Sequence, residues 1–163
     1  MSYITKEGIG QLKKRLKSYL ETLPDVIEQV STARAMGDLS ENAEYHAARE
    51  KQRNLEKDIG FLQSRLSQLK VIDPTDLPKK TIRFGFFVKL LDLKKKSNIV
   101  YRLVGPDEVG LEFGDRVLGI SYVSPIGAAL LGRKRGEKIL VKAPAGNLEF
   151  EIVEISQKKE GWI

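Results

Sequence analysis

Residues 26–52 read VIEQVSTARAMGDLSENAEYHAAREKQ. Before the glycine at 37, the apolar positions Val26, Val30 and Ala33 step by four and three; after it, Tyr45, Ala48 and Gln52 step by three and four. That alternation is the seam of a coiled coil. Between the two runs, Met36-Gly37-Asp38-Leu39-Ser40 breaks the pattern with glycine and small polar residues, which end a helix. Working outward, the first seam reaches back through Leu23, Tyr19, Leu16 and Leu12 to Ile9. The second runs forward through Leu55, Ile59, Leu62 and Leu66 to Leu69, with Gln52 its one polar member. Two arms of similar length joined by a short connection bury both stripes by folding back as an antiparallel hairpin; a parallel dimer is the alternative. At 1.5 Å per residue, an arm of about 30 residues spans roughly 45 Å. Pro24 lies inside the first arm and predicts a local kink at 22–25. Alanines at 33, 43, 47 and 48 predict a slender tip that buries little apolar area.

The hairpin reading covers residues 1–73, with an acidic tip at 37–44. Asp73-Pro74-Thr75-Asp76-Leu77-Pro78 carries two prolines and reads as a linker, 74–78, before a second domain at 79–163. There, β-rich runs alternate with turn residues: Thr81–Asp92, Ile99–Val104, Arg116–Tyr122, Lys138–Ala143 and Asn147–Ile155. Pro144-Ala145-Gly146 predicts a hairpin between the last two, with Leu148, Phe150, Ile152 and one further candidate, Val153, facing a core. Ser124-Pro125 opens and Gly132 closes a short helix. The fold class is α+β: a coiled-coil hairpin, then a mostly antiparallel sheet covered by one helix. The tail 156–163 is expected to fray, leaving Trp162 without a role.

A chain of 163 residues excludes a large multidomain enzyme. The absence of cysteine excludes disulfide scaffolds, thiolate metal sites and cysteine nucleophiles, and a single histidine excludes a histidine-rich metal centre. No apolar run reaches membrane-spanning length and no basic-then-apolar leader is present, so a soluble cytosolic protein is expected. The excess of 28 basic over 22 acidic residues favours RNA, DNA or an acidic protein surface as a partner. The runs Lys13-Lys14-Arg15, Lys94-Lys95-Lys96 and Arg133-Lys134-Arg135 each read as a solvated helix face or turn.

Asp38 and Glu41, with Glu44 one turn on, are the only acids at a special place, the far end of the hairpin. Asp-x-x-Glu at a helix start is a capping arrangement. The same spacing lets two carboxylates converge on one hard divalent cation, but two ligands on an exposed tip make a weak magnesium site. Such a pair makes sense as a metal site only if the hairpin delivers it to ligands held by another molecule. Arg34 and Arg49 lie just behind the turn, placed either for ion pairs with Glu41, Glu44 or Glu50 or for phosphate contact. His46 reads as a polar residue on a helix flank. Ser124, Pro125 and Ile126 either cap the short helix or form an exposed docking loop.

The stretch at 33–50 closely resembles the tip motif of the Gre family of bacterial transcript cleavage factors. Its Asn-Ala-Glu-Tyr-His-Ala-Ala-Arg-Glu run, 42–50, is more similar to the GreA branch than to GreB. The blocks 124–132, Gly136-Glu137 and Lys142-Ala143-Pro144-Ala145-Gly146 extend the resemblance over nearly the whole chain. The last stands where a Lys-Thr-Pro-Gly-Gly type turn is common, and Gly110–Leu118 is longer than expected. The resemblance implies a globular domain of the FKBP-like type that binds RNA polymerase at the mouth of its secondary channel. It also implies a hairpin threaded toward the nascent RNA 3′ end of backtracked complexes. By similarity, Asp38 and Glu41 help hold a second magnesium ion and position the attacking water, while the polymerase's own aspartates hold the first. Arg34 and Arg49 match a basic patch facing the extruded RNA. The implied protein is a monomeric activator of polymerase's own RNA hydrolysis, not a free-standing nuclease. Relatives that inhibit polymerase alter the tip acids; here Asp-Leu-Ser-Glu is intact. From another class, an FKBP-like prolyl isomerase or chaperone would need an aromatic-lined pocket.

Overall fold

The computed structural model describes residues 2–38 and 42–158; Glu41 and positions 159–163 of the tail, Trp162 included, lie outside the described residues, whereas Ser156, expected to fray with that tail, is buried at the end of a strand. The chain forms two compact units, Gly10–Leu69 and a second one made of 1–9 with 70–163.

In the first unit, α1 (Lys6–Arg34, which begins in the other unit) and α2 (Ala43–Gln68) form the helical hairpin. Every predicted seam position, from Ile9 to Ala33 and from Tyr45 to Leu69, is buried or half-buried, Gln52 included. Val26 is 1% exposed, a burial that stabilises the hairpin by about 1.5–3 kcal/mol. Helix α1 runs unbroken through Pro24, which faces solvent, where water can take the carbonyl that its missing N–H leaves unpaired.

The turn corrects the expected cap. Helix α2 is capped by Asn42, not by Asp38: the Asn42 side chain accepts from the Tyr45 amide at 3.0 Å and donates to the Ala33 carbonyl at 2.7 Å. An amide side chain satisfies a donor at the start of α2 and an acceptor at the end of α1 together, which a carboxylate cannot do. Gly37, at φ +137, takes the chain out of α1 through backbone space that disfavours other residues.

In the second unit, β1 (Ser2–Thr5) and β2 (Leu69–Ile72) form a two-stranded sheet that the seam reading did not anticipate. This shifts the boundaries from 73/74 to 9/10 and 69/70: both ends of the helical pair run into strands of the globular unit. A five-stranded sheet follows in the order β5 (Val117–Ser121), β4 (Ser97–Val104), β3 (Phe87–Asp92), β7 (Gly146–Ser156), β6 (Lys138–Ala143). It is mixed: β4 and β5 run parallel, the other neighbours antiparallel. A parallel pair needs a crossover of about a dozen residues, which accounts for the long segment between Val104 and Val117. Strand β3 starts six residues later than expected because Gly85, at φ +86, turns the chain just before it.

One face of this sheet packs Phe86, Val88, Leu90, Leu103, Phe150 and Ile152 beneath α3 (Pro125–Leu130). A bulge opposite Lys89/Leu90 rephases β7, so Ile152 and Ile155 both reach the core while Val153 is only half-buried. Phe87, Val104, Phe113 and Val117 form a smaller cluster. Most of the aromatic side chains that an isomerase pocket would need are therefore used in the interior, with Tyr3, Phe84 and Tyr122 left in a partly exposed group of tilted rings.

Residues 2–9 are held in this unit by two buried charges. Glu108, fully buried in a single 3₁₀ turn, accepts from the Thr5 amide at 3.0 Å, from the Thr5 hydroxyl and from the Gly105 amide at 2.9 Å. The Thr5 oxygen accepts in turn from the Gly8 amide at 3.0 Å. Arg102 lies 4.6 and 5.1 Å from the ring centres of Phe87 and Phe113, and donates to the Gly85 carbonyl and to Glu7, at 3.1 and 3.0 Å.

Two outcomes follow from these anchors. Asn42→Ala should lower stability by about 1 kcal/mol in thermal or denaturant unfolding, with Asn42→Asp, which keeps only the acceptor, falling between. Desolvation raises the Glu108 pKa against the opposing hydrogen bonds from Thr5 and Gly105 and the charge of Arg102. A raised folded-state value means that its proton-linked stabilisation is complete below the ordinary value of 4.5 and is lost as pH climbs through the raised one. The stability advantage of the wild type over Glu108→Gln should therefore be largest in acid and shrink toward neutral pH; an advantage that grows with pH would contradict it.

Candidate functional site

The hairpin carries different chemistry on its two flanks near the turn. On one, counted from the seam at 100° per residue, stand Arg34 of α1 and Tyr45, Arg49 and Arg53 of α2. The Arg34 guanidinium donates to the Tyr45 hydroxyl at 3.4 Å and lies 5.6 Å from the ring centre, while His46 meets that ring edge-on at 5.5 Å. Arg49 donates to Gln52 at 3.3 Å. The hydrogen bond from Arg34, with the charges of Arg34, Arg49 and Arg53, lowers the Tyr45 phenol below its ordinary value despite desolvation. Of the ion-pair alternatives, neither Glu44 nor Glu50 pairs with Arg34 or Arg49 among the described residues, and Glu41 lies outside them; Arg34 meets a phenol and Arg49 an amide.

The opposite flank is an open groove of about 690 Å³ whose lining includes Asp25, Glu28, Glu44 and the exposed Met36. Three carboxylates outnumber the one cation of this groove, Lys51, so an anionic chain is favoured on the arginine flank. Glu44 belongs to the groove, away from Arg34.

Asp38 is exposed and precedes the Asn42 cap, outside either helix. Its carboxylate is a hard oxygen donor of the kind magnesium prefers. Among the described residues no group of three or more His, Cys, Asp or Glu is placed to hold a metal. A cation at Asp38 would need ligands from Glu41, outside the described residues, and from another molecule.

The docking candidates separate by burial. Ser124 is the α3 cap: its hydroxyl accepts from Gly127 at 3.1 Å and donates to the Ser121 carbonyl at 2.7 Å. Ile126 packs partly against the core, whereas Pro125 and the adjoining Val123 are exposed. Sequence reading missed Tyr45 as the partner of Arg34, and Arg53, although Arg53 sits one helical turn beyond Arg49 and that spacing was available as a signal.

Comparison with known proteins places this geometry in context. The family described as "Transcription elongation factor, N-terminal" matches residues 2–71, and "Transcription elongation factor, GreA/GreB, C-term" matches 77–157. The chain is similar to transcription elongation factor GreA of Thermodesulfovibrio yellowstonii, 42% identical over 154 residues that cover 94% of this chain and 95% of the relative. It is 44% identical to that of Rhodospirillum rubrum over 150 residues, 91% and 93% of the two chains. Among solved structures, GreA factor homolog 1 of Thermus thermophilus aligns over 94% of this chain and 97% of its own at 25% identity and TM-score 0.42. No described helix is long and apolar enough to cross a membrane. With both parts of the chain matched in order and relatives above 40% identity along nearly its full length, the chain belongs to the GreA/GreB family of transcription elongation factors.

Proposed function

We propose that this protein binds RNA polymerase and stimulates hydrolysis of the nascent RNA 3′ end in backtracked complexes, rescuing arrested polymerase from the secondary channel. The observation that supports the reading is the exposed Asp38 beyond the helix ends, beside a flank of arginines, in a chain of the elongation-factor family. Asp38 and Glu41 are the residues that would hold the second magnesium ion, in a site shared with the polymerase. Bound there, magnesium supplies Lewis-acid polarisation of the phosphodiester and lowers the pKa of water. The two carboxylates orient that water and act as donors to another protein's centre rather than as a nuclease alone.

Arg34 and Arg49 contact the extruded RNA. Their guanidinium forks suit phosphate, and the weak Arg34–Tyr45 bond at 3.4 Å is readily exchanged for one. The globular unit docks on polymerase through the start of α3, where Pro125 offers an exposed side chain, Ser124 fixes the turn and Ile126 anchors it to the core. The protein acts as a monomer in the cytoplasm.

In a purified backtracked transcription complex with magnesium, Asp38→Asn and Glu41→Gln should each reduce fragment release by about 10–100-fold while competing normally for polymerase. Cleavage at wild-type rates by both variants would reduce the acids to turn residues and remove the mechanism. Pro125→Ala should weaken polymerase binding without changing the melting temperature; unchanged affinity takes Pro125 out of the docking surface.

A further inference from the structure

Six exposed cations from two distant stretches meet on the globular unit. Lys79, Lys80 and Arg83 precede β3; Arg133, Lys134 and Arg135 follow α3. The Ile82 amide donates to the Arg133 carbonyl and the Gly132 amide donates back to the Ile82 carbonyl, both at 2.8 Å, so Arg83 and Arg133 rise from adjoining backbone. Lys79 and Arg135 each lie 3.7 Å from one oxygen of the same carboxylate, Glu154. Arg133 is 3.6 Å from Glu137, while Lys80, Arg83 and Lys134 have no carboxylate within 4 Å among the described residues. The region therefore holds a concentrated share of the chain's net charge of +6.

The platform beneath these side chains is fixed. Ile82 and Leu130 are fully buried under it, and the Gly136 amide and Glu137 carbonyl both bond Ile152, at 2.7 and 2.9 Å. Half the cations are lysines, a residue depleted in protein interfaces. Point charges and guanidinium forks at this density suit successive phosphates. We infer that this surface binds the phosphodiester backbone of a nucleic acid without reading its bases, at a place separate in sequence and chemistry from the hairpin tip. The inference does not rest on the cleavage mechanism.

The test uses the full chain and fluorescence anisotropy with a labelled single-stranded RNA and, separately, a labelled duplex DNA, from about 50 to 200 mM salt. The Lys80→Ala/Arg83→Ala/Lys134→Ala variant removes the three cations without carboxylate partners. It should bind at least one probe about tenfold more weakly at low salt and flatten the slope of log affinity against log salt by about 2–3, with an unchanged thermal melt. Whichever probe the wild type binds more tightly names the source of the phosphates. An Arg34→Ala/Arg49→Ala variant removes the tip's own phosphate contacts and should weaken binding independently, its loss adding to that of the triple variant. The proposal is overturned if neither probe binds the wild type at low salt, or if the tip variant loses all binding and the triple variant none. It is also overturned if the triple variant binds both probes normally but loses affinity for polymerase free of nucleic acid, since the surface then serves an acidic protein.

Discussion

The buried carboxylate of Glu108 is the fixed point from which the rest of the chain departs. Three donors converge on it, two of them from Thr5 at the end of β1, and the Thr5 oxygen then takes the amide of Gly8 in the first turn of α1. Space is as restrictive as charge: a Cβ on Gly8 would lie 2.0 Å from a Glu108 oxygen, and one on Gly105 would lie 2.1 Å from the Tyr3 carbonyl. A buried acid left without these donors would be strongly destabilising. The long first helix thus starts from a position that the globular unit determines through its own interior.

The hairpin achieves order at its far end by different means. Apolar burial fades toward the turn, where the seam residues are alanines, and hydrogen bonding takes over. Asn42 ties the last turn of one helix to the first of the next. The Asp-x-x-Glu spacing pointed to Asp38 as the cap. The Asn42 amide meets the Ala33 carbonyl across the turn along with the Tyr45 amide, which a carboxylate cannot do.

In the sheet, the same contrast separates local from distant causes. Strands β6 and β7 were legible because their hairpin is a local pairing around Pro144-Ala145-Gly146. The parallel partnership of β4 and β5 was not, because strand direction depends on which edge the crossover reaches. Strands β1 and β2 escaped notice because each is four residues long and they pair with one another across the whole length of the two helices in sequence. The bulge in β7 was hinted at by two core-facing candidates in succession, Ile152 and Val153, but its position is set by pairing with β3.

What the amino-acid sequence determined by itself is whatever a short period or a local turn encodes: both helical arms, their seam, the capped start of α3 and the placement of Asp38, Arg34 and Arg49 around one turn. Periodicity of 3.5 residues is a property of neighbours along the chain, so it can be read without knowing the fold. Tertiary structure alone decided which side chains answer one another across long separations. Glu108 meets Thr5, Arg102 meets Glu7, Tyr45 takes the hydrogen bond of Arg34, and the basic residues before β3 join those after α3. Each of these contacts requires the loop between its partners to be closed first. That closure is bought by burial of the whole core, and no residue in either partner's neighbourhood records it.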